Sequence, residues 1–276
     1  GLPTKHEQSD LFAAIYNTHG DTAKIVLSPS TIEEAFCDTF EAFNLAEEYQ
    51  CPVIVLSDLQ LSLATQTMPV PEYEELVIRR GKIAHSESLA AIKTPEYFAR
   101  YSLAADDGIS TRVLPGTPNG ICLGTGLEHD ESGRPSEAKL MRRQQTEKRL
   151  KKMQTFLAHY KKALFVDAPY EEADVLLIGM TATRSCLAET AEVLRQEGKK
   201  VNHVQIRLLS PFPAQEIMPY LQKSKKIVVV EHNATAQLAH LLRMQVEGCP
   251  HLESILQYDG DIMYPEELLV RCKEVL

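Results

Sequence analysis

The regular alternation of apolar runs and amphipathic helical patterns after Asp167 constrains the fold more than any other feature of the sequence. The predicted strands cover residues 173–178, 200–206, 226–231 and 255–258, and the predicted helices cover residues 185–197, 214–222, 236–247 and a segment starting at 265. This order predicts a mostly parallel α/β sheet with helices on both faces.

A second α/β unit is predicted near the start of the chain. Apolar runs at residues 24–28 and 52–57 flank a helical pattern, which predicts a parallel βαβ unit with a right-handed crossover. Ser30 and Glu33 have residue types typical of a capping box for that helix. Ligands of such sheets bind at the carboxyl ends of the strands, which makes Ser30 and Asp58 candidate site residues. The alternative for each is a purely structural cap.

Two strands are too few for an independent sheet. We therefore expect the first half of this domain to precede Gly1, and a chain that starts with Gly instead of Met is expected to have lost a preceding segment. Residues 65–135 are rich in Pro and Gly and predict loops and short strands that lie on another part of the protein. Residues 136–166 predict a long charged helix, either a solvated linker or a docking surface for phosphate or a partner.

Composition excludes several classes of protein. The net charge of −9 argues against nucleic-acid binding. No apolar run approaches the roughly 20 residues that span a membrane, and no signal-peptide pattern opens the sequence. The six cysteines form no Cys-x-x-Cys pair, so neither a zinc site nor an iron–sulfur site is predicted. We expect them to be reduced residues of a cytoplasmic protein.

Two polar segments are candidate sites. The run from Thr4 to Asp10 is too polar for a core, so it predicts a loop that leads into a short helix. Its side chains suit a polar ligand, although a frayed terminus has the same composition. Glu128-His129-Asp130-Glu131 predicts either a metal site or a polar loop at a subunit or domain contact, and adjacent residues rarely converge on one ion. Glu231 and Asn233 lie at the end of a predicted strand, where a site is the alternative, and the structural interpretation is favoured.

Several motifs resemble those of one enzyme family. Gly1-Leu-Pro-Thr4-Lys5-His-Glu7-Gln8 matches the family's Gly-(Leu/Met)-Pro-Thr-Lys-x-Glu-Gln, and residues 126–133 match its Gly-x-Glu-His-Asp-Glu-x-Gly. Residues 108–112 resemble Gly-Ile-Ser-Pro-Arg, with Thr111 in place of the family's proline. Residues 208–213 and 228–238 are also close matches. From Gly1 to the C-terminus, the chain resembles the α subunit of 2-oxoacid:ferredoxin oxidoreductases, in particular the 2-oxoglutarate branch.

The resemblance implies how the α/β chain is divided. Residues 1–64 would be the second half of a pyrimidine-type thiamine diphosphate domain, and residues 65–135 a loop- and β-rich connector. Residues 136–166 would form a charged linker helix, and residues 167–276 a transketolase C-terminal-like, mostly parallel α/β domain.

The resemblance also implies a reaction and its site. The family decarboxylates a 2-oxoacid such as 2-oxoglutarate with coenzyme A, giving acyl-CoA and reduced ferredoxin. Thiamine diphosphate and Mg²⁺ would be held mainly by the partner β subunit, which also carries a 4Fe-4S cluster, so no cofactor, metal ligand or catalytic residue is expected on this chain alone. Thr4 and Lys5 would bind the substrate carboxylates, together with a family arginine that is not in this chain. Glu7, Ser30 and Asp58 are candidates for supporting them, and the alternative for Glu7 is a surface residue with no role in the site.

Two other classes remain open. Without that arginine and half a domain, the chain alone is expected to be inactive and would behave as a non-catalytic assembly module. A fragment of another thiamine diphosphate enzyme, such as a transketolase relative, would act on sugar phosphates and would not depend on coenzyme A.

Overall fold

The structure is a computed structural model that describes residues 2–92 and 97–276. Contacts divide the chain into two compact units. Unit 1 consists of Gly1–Ala42, Val53–Pro71 and Lys161–Leu276. Unit 2 consists of Phe43–Pro52 and Glu72–Tyr160.

The elements are numbered along the described part of the chain. The helices are α1 (Leu11–Tyr16), α2 (Ile32–Tyr49), α3 (Leu59–Leu63), α4 (Ser86–Leu89), α5 (Lys139–His159), α6 (Thr183–Gln196), α7 (Ala214–Gln222), α8 (Gln237–Gln245) and α9 (Pro265–Val275). The strands are β1 (Ile25–Leu27), β2 (Val53–Val55), β3 (Leu164–Asp167), β4 (Ala173–Met180), β5 (Val201–Ile206), β6 (Leu208–Ser210), β7 (Ser224–Glu231) and β8 (Glu253–Leu256). A 3₁₀ turn spans Tyr73–Glu75.

The larger sheet of unit 1 has five strands in the order β3-β5-β4-β7-β8. Strand β4 pairs in parallel with β5 and β7, and β8 pairs in parallel with β7, whereas the edge strand β3 is antiparallel to β5. The prediction of a mostly parallel α/β sheet is confirmed. The predicted long charged helix ends at His159, so that residues 164–167 form β3.

Both faces of this sheet are buried, as the alternation of strands and helices predicts. Along β4, Leu176 and Ile178 belong to one core cluster, whereas Val175 and Leu177 belong to the other. Successive side chains of a strand point to opposite faces, so one run of apolar residues supplies two cores.

The smaller sheet of unit 1 has three strands in the order β2-β1-β6. Strands β1 and β2 are parallel with Ile25 opposite Val53, which confirms the predicted βαβ unit. Strand β6 is antiparallel to β1, with Val26 opposite Ser210. This third strand was not predicted, because three residues are too few to establish a period.

The capping box predicted for α2 is wrong by one residue. Glu34, not Glu33, accepts hydrogen bonds from the Ser30 backbone nitrogen at 2.9 Å and from Ser30 Oγ at 2.7 Å. The Glu34 nitrogen in turn donates to Thr31 Oγ1 at 3.1 Å. Thr31 and Glu34 have the Thr-x-x-Glu spacing of this motif, which two consecutive glutamates made ambiguous in the sequence.

Unit 2 is built on α5 and the last turns of α2. The Phe156 side chain is fully buried, and its ring lies 5.1 Å from that of Tyr49. Lys152, one of the charges of the predicted linker helix, is buried and donates to the Gln50 carbonyl at 2.9 Å. Burial, with help from the nearby Lys152, lowers the pKa of Lys148 to about 8. The described residues between 72 and 138 are mostly loops, with isolated bridges at Ile83–Arg112 and His129–Pro135.

Two expectations concern membranes and cysteines. No helix within residues 2–92 and 97–276 is both long enough and apolar enough to cross a membrane. All six cysteines are free thiols, and Cys186 and Cys272 are buried. Burial raises the pKa of these two thiols to about 12 and about 11, so they are protonated at neutral pH.

Candidate functional site

The N-terminal loop, residues 2–10, is attached to the C-terminal sheet by backbone hydrogen bonds. The His6 nitrogen donates to the Gly260 carbonyl at 3.0 Å, and the Gln8 nitrogen donates to the His232 carbonyl at 2.7 Å. His232 directly follows β7, and Gly260 lies in the loop after β8. Because parallel strands end at one edge of a sheet, the loop crosses the edge where ligands of α/β proteins bind.

Thr4 and Lys5, the predicted substrate-binding residues, are exposed in this loop. Thr4 has a left-handed backbone with φ of +55°. This conformation is unfavourable for a β-branched residue and is characteristic of functional or strained positions. Lys5 Nζ lies 3.0 Å from Asp261 Oδ1, and both side chains are more than half exposed. Such a surface pair contributes little to stability, so the ammonium group can exchange Asp261 for another carboxylate.

Glu7 makes a local contact within the N-terminal loop. Its Oε1 accepts a hydrogen bond from Ser9 Oγ at 2.6 Å, and the side chain is exposed. This local bond stabilises the turn before α1.

Asp58 is buried and joins three parts of unit 1. Its Oδ1 accepts a hydrogen bond from the Leu61 nitrogen at 2.9 Å, which caps α3. Its Oδ2 accepts from Gln8 Nε2 at 2.8 Å, from the Ala182 nitrogen at 3.0 Å and from Thr181 Oγ1. The sequence left open whether Asp58 is a cap or part of a site, and the structure places it as a cap that also contacts the N-terminal loop.

Gln8 is the central residue that sequence reasoning missed. It is 1% exposed, its Nε2 donates to Asp58, and its Oε1 accepts from the His232 nitrogen. The available signal was its place in the Thr-Lys-x-Glu-Gln motif, but a single amide in a polar run has no periodicity that predicts burial.

Two histidines adjoin Asp58. The rings of His6 and His232 lie edge to face with centroids 4.1 Å apart, and His6 Nε2 is 4.0 Å from Asp58 Oδ2. Burial lowers the pKa of His6, although Asp58 opposes the shift. Burial and the neighbouring His6 lower the pKa of His232 to about 4. Both rings are therefore neutral at pH 7.

Ser30 belongs to a different cluster of unit 1. Its Oγ accepts from Arg184 Nη1 at 3.3 Å, and the same nitrogen donates to Glu34 Oε1 at 2.6 Å. Burial opposes ionisation of Glu34, but Ser30, Arg207 and Arg184 lower its pKa overall. Ser30 thus helps to hold an ion-pair network at the start of α2.

The carboxylates of the Glu128–Glu131 loop have separate partners. Glu128 binds Arg142 at 2.7 Å and Arg149 at 2.8 Å, whereas Asp130 Oδ1 accepts from backbone nitrogens of its own turn. Glu131 Oε2 accepts from the Leu103 nitrogen at 2.8 Å. Within the described ranges, no group of three or more His, Cys, Asp or Glu residues could hold a metal ion.

Glu231 and Asn233 serve the structure, as the sequence suggested. The buried Glu231 carboxylate accepts from the nitrogens of Leu238 at 2.7 Å and Ala239 at 3.1 Å, at the start of α8. Asn233 Nδ2 donates to Glu231 Oε2 at 2.6 Å and to the Gln8 carbonyl at 3.3 Å.

Comparison with known families gives two matches. Residues 1–149 match the family described as pyruvate flavodoxin/ferredoxin oxidoreductase, thiamine diphosphate-binding. Residues 173–268 match pyruvate:ferredoxin oxidoreductase core domain II.

Similar curated proteins carry related names. The chain is 35% identical to the α subunit of 2-oxoacid:ferredoxin oxidoreductase 2 of Aeropyrum pernix, over 100% of this chain and 42% of the relative. It is 31% identical to the 2-oxoglutarate synthase subunit KorA of Methanothermobacter marburgensis, over 98% of this chain and 68% of the relative.

A solved structure is also similar over nearly the whole chain. This is the 2-oxoglutarate:ferredoxin oxidoreductase of Magnetococcus marinus with 2-oxoglutarate, coenzyme A and succinyl-CoA bound. The TM-score is 0.90 at 37% identity, covering 99% of this chain and 46% of that one. The chain therefore spans less than half the length of two of these relatives and about two thirds of the third.

Proposed function

The chain belongs to the family of 2-oxoacid:ferredoxin oxidoreductase α subunits, and on that basis we propose that it orients the substrate in an enzyme that decarboxylates 2-oxoglutarate or a related 2-oxoacid. The products are acyl-CoA, carbon dioxide and reduced ferredoxin. Thiamine diphosphate supplies the electron sink for decarboxylation, so the protein contributes binding, orientation and electrostatics.

The observation that carries the proposal is the position of Thr4. Thr4 is exposed, in a loop that backbone hydrogen bonds attach to the carboxyl ends of the sheet strands. Its backbone has the unfavourable left-handed conformation. Such strain persists where the surrounding structure overdetermines it, which suits a hydroxyl that must meet a ligand in one orientation. We assign this hydroxyl to a substrate carboxylate.

Lys5 is the second group assigned to the substrate. Its ammonium group is paired with the exposed Asp261 and would move to a substrate carboxylate when one is present. The charge-assisted bond to a desolvated ligand would be stronger than a bond to a solvated aspartate.

The other parts of the proposal extend the family membership. Thiamine diphosphate, Mg²⁺ and a 4Fe-4S cluster are assigned mainly to a partner β subunit, and ferredoxin, coenzyme A and the 2-oxoacid are the other partners. The enzyme is proposed to be a cytoplasmic hetero-oligomer. Residues 1–64 are assigned to the second half of the thiamine diphosphate domain, 65–135 to the connector and 136–163 to the linker. Because β3 belongs to the five-stranded sheet, residues 164–276 are assigned to the C-terminal domain. Glu7, Ser30 and Asp58 support the site through the structure around it.

The test is Thr4→Ala in the complete enzyme, assayed by viologen reduction that depends on both coenzyme A and 2-oxoglutarate. A hydrogen bond to a charged group contributes roughly 1.5–3 kcal/mol, so we expect kcat/KM for 2-oxoglutarate to fall about tenfold or more. Thr4→Ser is the matched control, because it keeps the hydroxyl and should keep most of the activity. An unchanged kcat/KM in Thr4→Ala contradicts the assignment, and turnover of sugar phosphates in place of 2-oxoacids contradicts the reaction.

A further inference from the structure

Both the amide nitrogen and the amide oxygen of Gln8 are hydrogen-bonded. Its Nε2 donates to Asp58 Oδ2 at 2.8 Å and also contacts Thr181 Oγ1. Its Oε1 accepts from the His232 nitrogen at 3.0 Å. A buried amide whose donors and acceptor are all hydrogen-bonded has one orientation. Rotation by 180° would bring the amide nitrogen against the His232 nitrogen and the amide oxygen against the Asp58 carboxylate.

The orientation of the Asp58 carboxylate is fixed by hydrogen bonds as well. Its carboxylate is 4% exposed, and it accepts from a side-chain amide, a hydroxyl and two backbone nitrogens. Burial of an ionised carboxylate is costly unless such donors surround it. Gln8 is the donor that reaches Asp58 from the N-terminal loop, so the two side chains fix the loop against the ends of β2 and β4.

The backbone next to Gln8 is held at the same edge. The Gln8 nitrogen donates to the His232 carbonyl at 2.7 Å, and Gln237 Nε2 donates to the Ser9 carbonyl at 2.8 Å. Thr4 lies four residues before Gln8, a distance of at most about 14 Å along an extended chain. The position of the Thr4 hydroxyl is therefore tied to the register of Gln8.

From these contacts we infer that Gln8 and Asp58 form a positioning pair that sets the register of the N-terminal loop and thereby the place of Thr4 in the site. The inference rests on the proposed role of Thr4 in binding a 2-oxoacid carboxylate. Both side chains are buried, so they act through the loop and are positioning residues.

A polar pair suits this task better than an apolar one. An apolar side chain at position 8 could fill the same volume, but it would tolerate a shift of the loop along the sheet edge because hydrophobic contact is non-directional. The Gln8–Asp58 bond is lost on such a shift, and Asp58 would then be left with an unpaired lone pair in a buried site. The pair thus penalises every register except the observed one.

The test compares Gln8→Glu, Gln8→Met and the exchange variant Gln8→Glu/Asp58→Asn in the complete enzyme. Gln8→Glu places two carboxylates against each other, and Gln8→Met keeps the length while removing the polar contacts. For both we expect the KM for the 2-oxoacid to rise about tenfold or more, equivalent to about 1.4 kcal/mol of binding. The KM for coenzyme A should change less than about twofold.

The exchange variant supplies the control for register. It restores an amide–carboxylate bond with its direction reversed, so its KM for the 2-oxoacid should return toward the wild-type value. The return is incomplete, because the amide that replaces the Asp58 carboxylate has one acceptor oxygen instead of two and cannot serve all of the donors that Asp58 serves. A role in general stability would instead lower the melting temperature and change both KM values together.

Two outcomes overturn the inference: an unchanged 2-oxoacid KM in folded Gln8→Glu and Gln8→Met enzymes, or equal changes for both substrates. Should these variants not assemble, Asp58→Asn alone provides the measurement, since it keeps the side-chain volume and weakens the same contact. Thr4→Ala, run in parallel, separates the two proposals. A large effect of Thr4→Ala with none at Gln8 rejects the positioning pair alone, and no effect of Thr4→Ala rejects the role of Thr4 itself.

Discussion

Arg207 Nη2 lies 2.8 Å from both carboxylate oxygens of Asp38. Asp38 is 1% exposed, on α2, and Arg207 stands in the single position between β5 and β6. Glu34 Oε2 is 3.2 Å from Arg207 Nε, so the guanidinium group meets two carboxylates of the same helix. These ion pairs hold α2 to Arg207, the residue at which the chain passes from the five-stranded sheet to the three-stranded sheet.

Asp38→Ala should destabilise the protein strongly. Its removal takes both hydrogen bonds from Arg207 Nη2 and leaves that guanidinium group with Glu34 alone, which we expect to cost about 1.5–3 kcal/mol. Urea unfolding at pH 7 measures this change in the free energy of unfolding. Glu171→Ala is the matched control, because Glu171 pairs with Lys223 at 3.0 Å on the surface and should change stability by less than about 1 kcal/mol. Equal effects of the two substitutions would contradict the importance of the buried pair.

Gly108→Ala should cost more than Gly116→Ala, although both glycines have a left-handed φ, of +77° and +87°. A Cβ on Gly108 would lie 2.6 Å from the Lys148 carbonyl oxygen and 2.7 Å from the Lys152 nitrogen, both in the backbone of α5. A Cβ on Gly116 meets no atom within 4 Å among the described residues. We expect about 1 kcal/mol for Gly116→Ala from backbone conformation alone.

Gly108→Ala must also displace the backbone of α5. We therefore expect it to lower the free energy of unfolding by about 1–3 kcal/mol more than Gly116→Ala does. Thermal unfolding of the two variants gives the comparison. Melting temperatures lowered by the same amount would show that the loop moves away from α5 without cost.

Several elements could be predicted from sequence because their signals are local and repeated. The strands β4 and β7 contain long apolar runs, and α7 begins and ends where its pattern predicts. The capping box of α2 was misassigned because Glu33 and Glu34 are adjacent and one residue separates the two registers. Strand β6 is stabilised by pairing with a strand far away in sequence, which no local pattern encodes.

The candidate site was predictable only in part. Thr4 and Lys5 stay predictions from a motif, and Asp58 was singled out by the rule that sites lie at strand ends. The role of Gln8 depends on partners at positions 58, 181 and 232, which only the folded chain brings together. Burial of a polar side chain is decided by such partners and not by its own composition.

Glu128→Gln should lower stability at neutral pH but not in strong acid. Hydrogen bonds from Arg149, followed by the smaller effect of Arg142, lower the pKa of Glu128 from its usual 4.5 to about 2. Between these values the unfolded chain binds more protons than the folded chain, so the stabilisation is complete above about pH 4.5 and lost as the pH falls toward 2. The difference between wild type and variant in urea unfolding should therefore be largest at pH 7.

Glu147→Gln provides the control for this measurement. Glu147 pairs with Arg143 at 2.7 Å, one turn apart on the exposed face of α5. Its loss should change stability by no more than about 0.5 kcal/mol at any pH. A constant difference for Glu128→Gln from pH 7 to pH 3 would mean that the ionised form of Glu128 is not what stabilises the loop.

His203→Leu should gain stability relative to the wild type as the pH falls from 7 to 5, a range in which Glu128 does not titrate. His203 is fully buried in β5, and burial lowers its pKa to about 4 even though the bond to Gln205 at 3.2 Å opposes the shift. The folded ring is neutral, whereas the unfolded residue binds a proton below its usual pKa of 6.5. Between pH 6.5 and 4 the wild type therefore loses up to about 1.4 kcal/mol of stability per pH unit through this residue, and the leucine variant does not.

The comparison is made by urea unfolding at pH 7 and pH 5. At pH 7 the variant loses the bond to Gln205 and is expected to be slightly less stable, by about 1 kcal/mol. Between pH 7 and pH 5 the free energy of unfolding of the variant should rise by about 2 kcal/mol relative to that of the wild type. The wild type is destabilised because its unfolded chain binds a proton at His203, whereas leucine binds none. His251→Leu is the surface control, since its side chain is 81% exposed and its loss should change stability at pH 7 by less than about 0.5 kcal/mol. Parallel pH profiles for wild type and His203→Leu would show that His203 binds a proton as readily in the folded protein as in the unfolded chain, which the buried position of β5 argues against.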